Sequence, residues 1–152
     1  MKSSSPADRG CPASILLVDD NKHGLIARRT VLQEMHYEVT TAGNGEEALE
    51  LFSRQHFDLV ITDHRMPRMT GVELIQKLKA IRPALPVVLL SGFVDPLGLD
   101  ERSTGADAVI AKSANEVSHL LRATAKLLNR RPARKPPKSI RQAAAAKAES
   151  GS

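Results

Sequence analysis

The chain has 152 residues and one cysteine, enough for a single domain with short extensions and too little for two. Hydrophobic residues make up 41% and charged residues 26%, a globular balance that excludes wholesale disorder. The apolar runs fall far below the ~20 residues of a membrane-spanning helix. The net charge of +5 is uneven: residues 129–152 hold seven Lys or Arg against Glu149, so this tail carries +6 and the preceding 128 residues −1. Only the tail makes an electrostatic case for polyanions.

Residues 1–13, rich in Ser, Pro and Ala, read as a flexible arm. Their lack of an apolar h-region gives no secretory signal. With Cys11 unable to form an internal disulfide, the cytoplasm is the expected compartment. From residue 14 onward, short β-type runs alternate with helix-period stretches. Strands are expected at Ile15–Val18, Glu38–Thr41, Leu59–Thr62, Val87–Leu90 and Ala108–Ala111. Four of the five are nearly continuous apolar runs, as in parallel strands covered on both faces.

The first helix follows Asn21, a plausible N-cap, and runs to about Met35, with Leu25, Leu32 and Met35 on one face. The second spans about Gly45–Arg54. The third spans Gly71–Ile81, its face set by Leu74, Ile75 and Leu78, and Pro83 stops it. A fourth, short helix would start near Asp95-Pro96. The fifth carries Val117, Leu120, Leu121, Thr124, Leu127 and Leu128 at helical spacing, and Ser113 with Glu116 suggests a capping box at its start. The domain is therefore expected over 14–128, with a flexible basic tail over 129–152.

Five β-then-α units imply an α/β fold: a doubly wound, five-stranded parallel sheet with helices on both faces. Ligands of such sheets bind beyond the carboxyl ends of the strands. Strand one ends in Asp19-Asp20, strand three in Asp63, strand four in Ser91 and strand five in Lys112. Three carboxylates brought together repel unless a cation joins them. Mg²⁺, a hard ion that prefers oxygen and pairs with phosphate, suits the set. A hydroxyl and an ammonium complete a site for phosphoryl oxygens. Taken singly, each residue reads as well as a cap, a turn or a surface charge; their common edge gives the set its weight.

The segments ILLVDDN (15–21), DLVITDHRMPRMTGVEL (58–74), VVLLSG (87–92) and GADAVIAK (105–112) resemble the response-regulator receiver domain of two-component signalling, over about Ser14 to Leu128. The resemblance implies Asp63 as phosphoacceptor. It implies Mg²⁺ held by Asp20, Asp63 and the main-chain carbonyl of Arg65, with Asp19 in support. Ser91 takes the hydroxyl position that follows the phosphoryl group, and Lys112 the lysine position that pairs with it. A histidine kinase or phosphotransfer protein would supply the phosphoryl group, so the chain would catalyse only its own modification and act as a stand-alone switch for a downstream protein that the sequence does not name. Two positions depart from the family: Ser113 stands where proline usually follows the lysine, and Val109 where an aromatic switch residue is usual. Arg65 places a cation near the pocket mouth.

Three other functions compete: a receiver that binds its partner constitutively, a weak nucleic-acid binder working through the basic tail, and an aspartate-based phosphohydrolase. Asp63-His64-Arg65 lacks a second acid two positions on, which counts against the last. His23, His36, His56, His64 and His119 show no metal-ligand spacing.

Overall fold

The computed structural model describes residues 12–92, 104–113 and 115–130. Cys11, the fourth helix candidate near Asp95, and residues 131–152 lie outside the described residues. The elements are β1 (Ser14–Val18), α1 (Lys22–Glu34), β2 (Glu38–Ala42), α2 (Gly45–Arg54), β3 (Leu59–Asp63), α3 (Gly71–Ile81), β4 (Val87–Ser91), β5 (Ala108–Ala111) and α4 (Glu116–Arg130). The last is the fifth helix of the sequence analysis. It continues through Asn129 and Arg130, so these two residues belong to the helix and not to the tail.

All strand pairs are parallel, in the order β2-β1-β3-β4-β5. Alternation within the strands divides the core. Leu16, Val18, Val60 and Leu89 face one side with Leu74, Ile75 and Leu78 of α3 and Ala48 of α2. Ile15, Leu17, Leu59, Ile61 and Val88 face the other with Leu32 of α1 and Leu120 and Leu127 of α4. β1, β3 and β4 are buried on both faces, which is why their sequences run almost continuously apolar.

The helix starts follow their caps. The side chains of Asn21, Asn44 and Thr70 accept the backbone N–H of Gly24, Glu47 and Glu73. Thr70 and Glu73 form a full capping box. The capping box expected at Ser113 is not formed by Glu116. The Glu116 N–H goes to the Ser113 carbonyl at 3.1 Å, and its carboxylate reaches across to Arg28. Two apolar positions also differ from expectation: Met35, at the C-cap of α1, is 49% exposed, and Val117, in the first turn of α4, is 44% exposed. Leu120, Thr124 and Leu127, at i, i+4 and i+7, form the buried stripe of α4.

Candidate functional site

The chain leaves β1 to build β2 on one side and crosses to β3 on the other, so the sheet order reverses between β1 and β3. The crevice at the carboxyl ends of these two strands is where such sheets hold ligands. Asp19 follows β1 directly and Asp63 is the last residue of β3. Both are buried, at 1% and 4% exposure, while Asp20 is exposed. Carboxylate oxygens of Asp19, Asp20 and Asp63 lie within 4.8 Å of one another. Among the described residues this is the only His, Cys, Asp or Glu group so placed, and it contains none of the histidines.

Two cations flank the acids. Lys112, immediately after β5, donates from Nζ to Oδ1 of Asp63. Arg28, on α1, donates from Nη1 to Oδ2 of Asp19 at 2.6 Å, and the other Asp19 oxygen accepts the Asn21 N–H at 3.0 Å. The Arg28 Nε continues to Glu116 Oε2 at 2.5 Å. Burial works against the Arg28 charge, but the carboxylates of Glu116 and Asp19 outweigh it and hold the guanidinium above its ordinary pKa. Burial pushes the Asp63 carboxyl above the usual aspartate range. The neighbouring Asp19 charge adds to this, and Lys112 and Arg28 oppose it.

Local backbone geometry fixes the loop after β3. The His64 N–H donates to the Leu90 carbonyl at 3.0 Å, and its carbonyl accepts the Gly71 N–H at 2.8 Å. A side chain at Gly71 would meet the Asp63 carbonyl oxygen at 2.5 Å and His64 Cα at 2.9 Å, so glycine is what lets α3 start against the end of β3. Between them the Met69 N–H bonds to the Pro67 carbonyl around Arg68, whose φ is 70°, and Met66 and Met69 tuck into the core. Ser91 closes β4, buried, and its carbonyl accepts the Lys112 N–H at 2.7 Å. Register pairs Asp63 with Leu90 and Ser91 with Ala111, so Asp63, Ser91 and Lys112 follow one another along the rim.

The family profile described as response regulator receiver domain matches residues 15–124. The chain belongs to the response regulator receiver domain family. It is 36% identical over 119 residues to the two-component response regulator ORR42 of Oryza sativa subsp. japonica, covering 76% of this chain and 89% of that protein. It is 37% identical over 79 residues to the transcriptional regulatory protein ZraR of Escherichia coli (strain K12), covering 52% of this chain and only 18% of that longer protein. Among solved structures, TrrA of Thermotoga maritima in complex with Mg²⁺-BeF superposes with a TM-score of 0.70 at 35% identity, covering 76% of this chain and 98% of that one. A receiver domain from Clostridium thermocellum gives 0.70 at 30% identity, covering 78% and 95%.

Aspartate phosphorylation and Mg²⁺ binding at an acidic pocket are general features of receiver domains. This receiver's own residues fit the ion: an all-oxygen donor set, with two buried carboxylates and a third at the mouth, suits a hard cation. Of the residues singled out from sequence, Asp19, Asp20, Asp63 and Lys112 converge, and Ser91 stands on the same rim. Arg65 is exposed two positions beyond Asp63. The two departures from the family are also placed. Val109 is half-buried, packed against the core on the α3 side. The described peptide bonds include no cis bond, so Lys112–Ser113 is trans, as expected where a cis bond to a non-proline residue costs about 2.5–4 kcal/mol.

Arg28 is not singled out by the sequence, and Glu116 is read there only as a capping residue; their pairing is a finding of the structure. One signal was available: Leu25, Arg28 and Leu32 fall at i, i+3 and i+7, so Arg28 sits on the apolar stripe of α1.

Proposed function

We propose that this receiver is a phosphoacceptor switch in which Asp63 takes a phosphoryl group from a histidine kinase or phosphotransfer protein and thereby changes the binding of a downstream protein. The observation that supports it most is the joining of three strand-end carboxylates within 4.8 Å with Lys112 bound to Asp63.

An oxygen of Asp63 attacks phosphorus, an O–P bond forms, and the N–P bond of the donor phosphohistidine breaks, its electron pair returning to the imidazole. Phosphoryl transfer asks the protein chiefly for alignment and charge neutralisation. Bound Mg²⁺ would neutralise phosphoryl oxygens; Asp20, Asp63 and the main-chain carbonyl of Arg65 would hold it, with Asp19 in support. Lys112 then exchanges its carboxylate partner for a phosphoryl oxygen, a charge-assisted bond, and the Ser91 hydroxyl donates to another. Water attack on phosphorus later returns Asp63 as a carboxylate and releases phosphate. The chain acts on no substrate but itself.

Intact-mass spectrometry with a small acyl-phosphate donor tests this. A gain of one phosphoryl group that requires Mg²⁺ and Asp63 is expected. No gain in the presence of Mg²⁺ would favour constitutive partner binding instead.

A further inference from the structure

We propose that Arg28 is a resident counter-cation of the acid pocket, a positioning residue that weakens Mg²⁺ binding, and that Glu116 sets its strength from outside the pocket by sharing the guanidinium. The proposal rests on the Mg²⁺ site of the preceding section and adds a residue pair that controls it.

A guanidinium on the buried stripe of a helix is costly unless its charge and donors are met. Arg28 is met on both sides, by Asp19 at 2.6 Å and by Glu116 at 2.5 Å through Nε and 3.4 Å through Nη2. Room for it comes from Gly24, one turn earlier. A Cβ there would stand 2.8 Å from Arg28 Nη1 and 3.0 Å from Asp19 Oδ2. Three separate residues, Gly24, Arg28 and Glu116, thus agree in delivering one positive charge to the buried acid at the end of β1. A purely structural tie between α1 and α4 needs only the Arg28–Glu116 pair. The reach of Nη1 to Asp19 goes beyond that need and puts the charge in the pocket.

The consequences have definite signs. A divalent cation and the guanidinium draw on the same carboxylate and repel each other, so Arg28 opposes Mg²⁺. Glu116 competes with Asp19 for Arg28 and so favours Mg²⁺. Reciprocity requires that Mg²⁺ in the pocket, by drawing on Asp19, shift Arg28 toward Glu116 and tighten the seam between α1 and α4. Phosphorylation-linked occupancy of the pocket thereby gains a route to the last helix through Arg28.

Calorimetric Mg²⁺ titration of the full chain tests this with wild type, Glu116→Gln, Arg28→Gln and the double variant. Coupled sites typically differ by about 5-fold or more. Glu116→Gln is expected to weaken Mg²⁺ binding about 5-fold and Arg28→Gln to tighten it about 5-fold, on the scale of such couplings. In the Arg28→Gln background the Glu116→Gln effect should fall below about 2-fold, because Glu116 acts through Arg28. Changes in the same direction, changes under about 2-fold in the single variants, or an undiminished Glu116→Gln effect without Arg28 would overturn the proposal. If Arg28→Gln does not fold, Arg28→Lys replaces it: with the charge kept, affinity should stay near wild type while Glu116→Gln still weakens it, and failure of the latter overturns the proposal. Mg²⁺ binding by wild type with no response in the variants sinks this inference alone; no Mg²⁺ binding by wild type sinks the site on which it rests as well.

Discussion

Lys112 Nζ is bound to Oδ1 of Asp63 across the width of β4, joining the ends of β3 and β5. The ammonium answers a carboxylate that burial and Asp19 both disfavour in its charged form. In the proposed function it would hold the position where phosphoryl oxygens arrive, so the two ends of the pair would contribute differently to each state.

Lys112→Ala removes a positive charge from an acid cluster, so Mg²⁺ affinity should stay equal or rise. After phosphorylation the same change leaves phosphoryl oxygens without a charge-assisted partner. With Val109 offering no ring to swing inward, the proposed switch would have to pass its signal to β4 and β5 through Lys112 and Ser91. Amide chemical shifts with and without a phosphoryl mimic should therefore change less around Val88–Ser91 in Lys112→Ala than in wild type. Equal shifts in the two proteins would show that this lysine does not couple the site to the surface.

Asp63→Asn should abolish phosphoryl gain in the intact mass, because an amide oxygen is a poor nucleophile and leaves no acyl phosphate. Retention of the gain would move the acceptor to another residue.

The same carboxyl makes stability depend on pH. In the unfolded chain Asp63 titrates near its ordinary value, and in the folded chain its pKa is raised, first by burial and then by Asp19. Between the two values the folded state binds more protons, so this group's contribution to stability falls as pH rises through that window and stays low above it. Asp63→Asn should thus raise the melting temperature at neutral pH in the absence of Mg²⁺, and the gain should shrink as pH falls through that window and be lost at the ordinary carboxylate value, near pH 4. Melting curves across this range check it. A gain that is largest in acid would reverse the assigned sign.

Much of this arrangement is legible in the sequence because the fold obliges it. Strands covered on both faces must be apolar throughout, so LVIT and VVLL announce themselves, and the polar residue that ends each run marks the rim. Asp19, Asp20, Asp63 and Lys112 were found in this way. Pairings between distant surfaces were not. Glu116, three residues after Ser113, fits a local capping box, yet a buried guanidinium from a helix 88 positions away claims its carboxylate. Charge satisfaction of Arg28 is worth more than one capping bond to a partly exposed backbone. Met35 and Val117 mislead for a related reason: periodicity gives the direction of a side chain but not where the neighbouring element ends, and both stand at helix ends.

Gly71 offers a test of how tightly the loop after β3 is built. A methyl group there would stand 2.5 Å from the Asp63 carbonyl oxygen, 2.9 Å from His64 Cα and 2.7 Å from Leu89 Cδ1. Two of these neighbours are backbone and cannot rotate aside, so α3 must move away from β3 or the Asp63–His64 peptide must shift. Overpacking of this kind costs about 1–3 kcal/mol, or several degrees of melting temperature in a domain of this size. Gly71→Ala should show that loss. It should also weaken Mg²⁺ binding, since the displaced backbone carries both Asp63 and the Arg65 carbonyl. Gly92→Ala is the control: it lies next to Ser91 on the same rim, but its Cβ would meet nothing within 4 Å among the described residues, so melting temperature and Mg²⁺ affinity should remain close to wild type. If Gly71→Ala behaves like Gly92→Ala in both measurements, the loop yields without cost and close packing at Gly71 does not hold Asp63 in place.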